Sequence, residues 1–201
     1  MTTLCSQDMR DETLTTLFAS GARATILRFF LLDPTRAYYQ RQVETATGLP
    51  IRAVQRELER LTGLGLLYRR AEGNRAYYQV DADFPLYAEL RNMVVKTVSL
   101  QEQVRAAVAA DESVRLAFLS EAENRLLVVF SNGNRPAFEV PAPYVVEMMS
   151  SEDFAQALSD DGEALGAFLD RGLDLLGRRD DVMWRRIEAS GHNVTKGRGV
   201  A

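Results

Sequence analysis

Cysteine and histidine are nearly absent: Cys5 and His192 are the sole examples of each in 201 residues. One thiol cannot build a disulfide framework, and one thiol with one imidazole is too few for a Cys/His zinc site or thiolate metal sensing. His192 falls in Ser190-Gly191-His192-Asn193, a polar segment that reads as a loose tail. A Ser-His hydrolase, which needs a held and oriented base, is therefore not expected. Long apolar runs are missing too. The longest strongly apolar run is Leu126–Phe130, against the roughly 18 residues of a spanning helix. Met1–Glu12 is polar and charged, without the apolar centre of a signal peptide. These absences lead to the expectation of a cytoplasmic protein with no membrane partner, no cofactor, no metal and no catalytic residues.

Charge is present but unevenly placed. The whole chain carries 24 basic and 28 acidic side chains, a net −4. Met1–Val98 holds 13 basic and 11 acidic residues, whereas Ser99–Ala201 holds 11 and 17. Within Arg36–Arg75 eight arginines face four acids. A basic surface confined to one part of an acidic protein is the footprint of polyanion binding on one face, or simply a solvated face.

The order of elements narrows this choice. In Thr15–Leu32 the residues Phe18, Ala22, Ile26 and Phe29/Phe30 recur at helical spacing, and Asp33-Pro34 ends that helix. A short helix over Arg41–Thr47, with Val43 and Ala46 inward, closes at Gly48. After Leu49-Pro50, the residues Ile51, Val54, Leu58 and Leu61 line one face of a third helix, which Gly63 and Gly65 stop. Two β-prone runs, Leu66–Arg70 and Arg75–Val80, flank Ala71-Glu72-Gly73-Asn74, a hairpin turn. Helix, helix, turn, helix and hairpin predict a winged helix-turn-helix over residues 1–83.

In that reading Arg52, Gln55 and Arg56, on the polar face of the third helix, reach base edges in a major groove. Arg41 and Arg60 hold phosphates, and Arg69, Arg70 and Arg75 serve the wing. Residues 84–110 read as a connecting or dimerisation helix, with Leu86, Leu90, Met93, Thr97, Leu100, Val104 and Ala107 in a heptad-like seam. Intramolecular packing is the competing use of that seam. In the acidic half, Val114–Leu119, Leu126–Phe130, Ala137–Val140 and Tyr144–Met149 read as strands. Helices follow from Ser151 and over Glu163–Asp170, so this lobe, residues 111–190, is of α/β type, and 191–201 is a flexible tail. The fold class expected is α+β.

The segments Leu17–Ser20, Ala22–Phe30, Val54–Leu58, Gly65–Leu67 and Glu72–Tyr78 are similar to the winged-helix domains of ArsR-like transcriptional regulators. The closest resemblance is to those fused to a minimal nucleotidyltransferase lobe. Such lobes usually carry a Gly-Ser turn and an Asp-x-Asp pair, in whose places this chain has Ser120-Glu121 and Glu123-Asn124-Arg125. The resemblance therefore implies a degenerate nucleotidyltransferase-like lobe that has lost its chemistry and serves dimerisation or effector sensing.

Together these readings predict a sequence-specific regulator, a repressor in the leading version, that binds double-stranded DNA as a homodimer. A small molecule or a protein would act as effector at the second lobe. The alternative is a nucleotidyltransferase acting through Glu123 with Glu139 or Glu147, since that chemistry needs carboxylates that converge on a divalent metal. A winged helix used for protein contact alone is the third possibility.

Overall fold

A computed structural model describes residues 12–131, 133, 135–160 and 163–197. Cys5, Asn132 and the end of the expected tail from Arg198 lie outside them. The chain is mixed α+β and divides into two compact units, residues 1–106 and 107–201. No helix among the described residues is long and apolar enough to cross a membrane.

In the first unit, α1 (12–18) and α2 (Gly21–Leu32) replace the single helix expected over Thr15–Leu32. Ala19 takes a left-handed φ of 51°, and the Ser20 hydroxyl accepts the Arg23 N–H at 3.2 Å to cap α2. Ser20 thus satisfies a first-turn amide that would otherwise need the preceding turn of helix. Of the expected stripe, Ile26 and Phe30 are fully buried, joined by Leu27, Leu31 and Leu32. The chain continues through β1 (Tyr38–Tyr39), α3 (Gln40–Thr47) and α4 (Ile51–Leu64). β2 (Leu67–Glu72) and β3 (Arg75–Val80) follow. The three strands form an antiparallel sheet in the order β1-β3-β2. Val43 is buried, but Ala46 is exposed, contrary to expectation, because α3 is only two turns long and packs through one position.

The expected seam over 84–110 is broken. α5 (Tyr87–Thr97) and α6 (Leu100–Ala109) are separate helices. Val98 is extended, and a reciprocal cap starts α6: the Ser99 N–H and hydroxyl donate to Glu102 at 3.2 and 2.8 Å, and the Glu102 N–H donates to Ser99 Oγ at 3.4 Å. The break resets the helical phase. Val94 and Val98, outside the seam, are buried along with Val104 of the seam, while its Leu86 and Leu100 stand exposed. The limit between the units falls inside α6.

Glu102 also receives Arg28 Nη2 at 2.5 Å. Burial pushes its carboxyl up, but the hydrogen bond and charge of Arg28 and the bonds from Ser99 outweigh that and hold it below the usual range. A depressed carboxylate stabilises the fold above its ordinary pKa, and the contribution disappears as pH falls through the lowered value. Glu102→Gln is therefore expected to cost on the order of 1–2 kcal/mol at pH 7, discounted because Arg28 is partly solvated. Urea midpoints of variant and parent should converge below the ordinary glutamate pKa of about 4.3. An undiminished gap at pH 3 would contradict the assignment.

The second unit is built on β4 (Val114–Ser120), β5 (Arg125–Phe130), β6 (Val145–Ser150), β7 (Leu173–Asp174) and β8 (Thr195–Lys196), ordered β6-β5-β4-β7-β8. The pairs β5/β6 and β7/β8 are parallel and the others antiparallel. α7 (Ser151–Ser159), α8 (Glu163–Arg171) and α9 (Val182–Ala189) complete it. Phe118, Phe154, Trp184 and Ile187 form the centre of its core. Residues 137–140 are not a strand. Prolines at 136, 141 and 143 surround them, and the Ala137 N–H goes to the Asp111 carboxylate at 3.3 Å instead of a ladder.

The tail expected over 191–201 is part of the fold as far as residue 197. Val194 is buried, β8 joins the sheet, and His192 Nδ1 lies 3.2 Å from Asp170 Oδ1. The His192 ring rests where a Cβ on Gly166 would stand, 2.5 Å from its Cε1. A glycine on α8 is what lets the imidazole lie against that helix.

Candidate nucleic-acid interface

α4 is amphipathic in the manner its spacing requires. Val54, Leu58 and Leu61 are buried. Arg52, Gln55, Arg56, Glu59 and Arg60 are exposed on the other side. The connector that sets its start is short: Gly48 closes α3 with φ 68°, and the Pro50 carbonyl accepts the N–H groups of Ala53 and Val54 at 2.8 and 3.1 Å. Gly63 lies within α4, and only Gly65, at φ 87°, ends it. The helix thus offers, over Arg52–Arg60, about two and a half turns of polar face bearing three guanidinium groups and one amide.

The hairpin beyond it is longer than expected, because Ala71 and Glu72 belong to β2 and the turn is Gly73-Asn74 alone. Gly73 has φ 57°, the conformation such a two-residue turn demands. Arg69, Arg70 and Arg75 are all exposed, yet strand alternation separates them. Arg69 pairs across the ladder with Tyr78, on the face that carries the core residues Leu67 and Val80. Arg70 pairs with Tyr77 on the opposite face. That second face also bears Tyr39, whose ring meets Tyr77 at 5.8 Å and Arg75 at 4.8 Å. The hairpin arginines therefore form two sets. Arg70 additionally meets Glu72 at 3.2 Å, with both side chains two-thirds exposed, an ion pair of little energetic weight.

Arg41 is exposed on the first turn of α3 and lines a cleft of about 560 Å³ together with Tyr39, Glu44, Ile51, Asn74 and Arg75. The cleft brings the start of α3, the start of α4 and the hairpin turn to one place. Of the eight expected contact residues, it unites Arg41 and Arg75. Arg52, Gln55, Arg56 and Arg60 share the outer face of α4.

Sequence reasoning missed Glu57. Counted there only as one of the four acids within Arg36–Arg75, it is 2% exposed. Arg23 Nε of α2 lies 3.1 Å from its carboxylate, with Arg56 Nε at 3.9 Å and Arg60 Nε at 4.0 Å. The signal was available: position 57 lies three residues after Val54 and four before Leu61, on the buried stripe. An acid on that stripe requires a basic partner from another helix. Tyr38 and Asp33 form a second buried pair behind the sheet, with the tyrosine hydroxyl donating to Asp33 Oδ2 at 2.5 Å. Burial, and then the Asp33 charge, push the Tyr38 hydroxyl far above its ordinary range, so it remains a donor.

In the second unit, Glu123 and Glu147 are brought together, but around a cation. Arg125 reaches Glu123 at 3.0 Å and Glu147 at 2.7 Å, and Arg171 holds the other oxygen of Glu123 at 3.1 Å. Glu139 lies exposed in the irregular stretch before β6. Two carboxylates bridged by a guanidinium already have their charge answered. Among the described residues no group of three or more His, Cys, Asp or Glu side chains converges. Phe118 is at the centre of the core, stacked on Phe154 at 6.3 Å.

No family model, no curated protein and no solved structure significantly matches the chain.

Proposed function

We propose that the protein is a sequence-specific regulator of transcription that binds double-stranded DNA. In this reading the first unit acts as an ArsR-like winged helix-turn-helix, α4 enters the major groove, and the hairpin overlies the neighbouring minor groove. The second unit, acidic overall, is repelled by phosphate and serves to join two copies or to receive an effector in the cytoplasm. A homodimer follows from the small number of base pairs that one helix can read. The single observation that carries the proposal is the outer face of α4, where Arg52, Gln55 and Arg56 stand exposed beside an arginine-bearing hairpin. Arg donates a pair of hydrogen bonds to the guanine edge, and Gln donates one and accepts one at the adenine edge.

The test is selection of duplexes from a random-sequence pool by the purified full chain. Enriched sites with two half-sites about one helical turn apart support the reading, and the absence of any enriched duplex refutes it. Arg70→Ala offers a finer check. It is expected to weaken selected and scrambled duplexes alike and to reduce the slope of log K against log salt by about 1. A loss confined to the selected sequence would instead place Arg70 at a base.

A further inference from the structure

We infer that the cleft between α3, the start of α4 and the hairpin turn is a seat for one phosphodiester of the DNA strand that separates the two grooves. The inference rests on the DNA-binding reading and deepens it. Its first support is position: the cleft is lined by Ile51, the first residue of α4, and by Asn74 and Arg75 of the hairpin. If α4 lies in the major groove and the hairpin over the minor groove, the sugar-phosphate ridge between those grooves has to pass here.

The second support is pre-organisation. The Arg75 guanidinium lies over the Tyr39 ring at 4.8 Å, and Tyr39 is itself held edge-on by Tyr77 at 5.8 Å. A guanidinium stacked on a ring keeps its donors in its own plane, free to take a phosphate in a forked geometry. Asn74 adds an amide, and Arg41 of α3 a second cation, to the same lining.

The third support is charge. Two guanidinium groups against the single carboxylate of Glu44 give the lining a net charge of +1. That balances one phosphodiester. A free nucleoside di- or triphosphate carries more negative charge, and Glu44 would oppose the excess. The volume of about 560 Å³ accommodates a sugar with its flanking phosphate.

The experiment uses the full chain and a duplex selected from a random pool, with one phosphate at a time replaced by a neutral methylphosphonate. Between the bases covered by α4 and the minor groove beneath the hairpin, one linkage should weaken binding by about tenfold when neutralised. In the Arg41→Ala/Arg75→Ala variant the same replacement should cost less than about twofold, because its partners are gone. Arg41→Gln with Arg75→Gln provides the same comparison if the alanine pair folds poorly. Penalties that are identical in parent and variant at every linkage overturn the proposal while leaving DNA binding intact. Failure to retain any duplex overturns the functional reading and this inference with it. A parallel titration with dAMP and ATP distinguishes the other source of phosphate: saturable binding that the variant loses, with no coupled linkage, makes the cleft a small-ligand site and also overturns the proposal.

Discussion

Replacing Arg52 and Arg56 together by alanine is expected to remove most sequence discrimination while leaving the fold untouched. Both side chains are exposed on the first turns of α4, and neither belongs to the core of the first unit. Exposed positions of this kind alter stability by less than about 0.5 kcal/mol. Against DNA the effect is of another size. Each bidentate contact to a base is worth about 1–3 kcal/mol of discrimination, so the pair should cost about 2–5 kcal/mol on the preferred duplex. The positions are four apart and share one face, so their losses need not add. Non-specific affinity should fall only by the share of two lost phosphate-attracting charges. The measurement is a titration of parent and variant against a selected and a scrambled duplex at one fixed salt concentration. Equal loss on both duplexes would show that these arginines act as surface charge and read nothing. Unchanged binding to the selected duplex would remove α4 from the interface altogether.

The elements that carry this prediction were legible in the sequence because each rests on a local signal. Gly48 and Gly65 take the left-handed conformations their positions imply, Pro50 stands before α4, and Gly73-Asn74 makes the turn of the hairpin. Apolar spacing over Ile51–Leu61 placed the arginines outward. What stayed hidden depended on partners distant in the chain. Ala19 is an ordinary helix former, and only the Ser20 cap and the Arg23 Nη1 bond to the Phe18 carbonyl at 3.0 Å reveal why α1 stops there. The heptad-like seam over 84–110 was real as a pattern, but Ser99 and Glu102 start a new helix within it and shift its phase.

The second unit was harder to read. β7 and β8 have two residues each, too few for any periodicity to register. They exist because the β4 edge and each other supply their hydrogen bonds. The polar stretch around His192 resembles a tail until Gly166 and Asp170, more than twenty residues earlier, give it a place to pack. For the candidate site the lesson is the same. Arg69 and Arg70 look equivalent as neighbours, yet the ladder sends them to opposite faces.

Glu57 joins the stability of the first unit to the geometry of its outer surface, and its replacement should have the largest effect on folding. The Glu57→Ala variant leaves Arg23 at the junction of α1, α2 and α4 without its carboxylate. Breaking a buried pair by removing one partner costs about 3–5 kcal/mol, and the lower end applies because a quarter of the Arg23 side chain reaches solvent. Removing the other partner, Arg23→Ala, should cost at least as much, since Glu57 is only 2% exposed and Arg56 and Arg60 approach it no closer than 3.9 Å. The double variant Arg23→Met/Glu57→Leu should recover most of the loss, because apolar side chains of similar volume need no charge partner at that depth. Urea midpoints of the parent, Arg23→Met, Glu57→Leu and the double variant form the cycle that isolates the pair. Additive losses in the double variant would mean that the two side chains act independently. Recovery of stability without recovery of duplex selectivity would mean that the carboxylate also sets the direction of Arg56 and Arg60, a role that a leucine cannot fill.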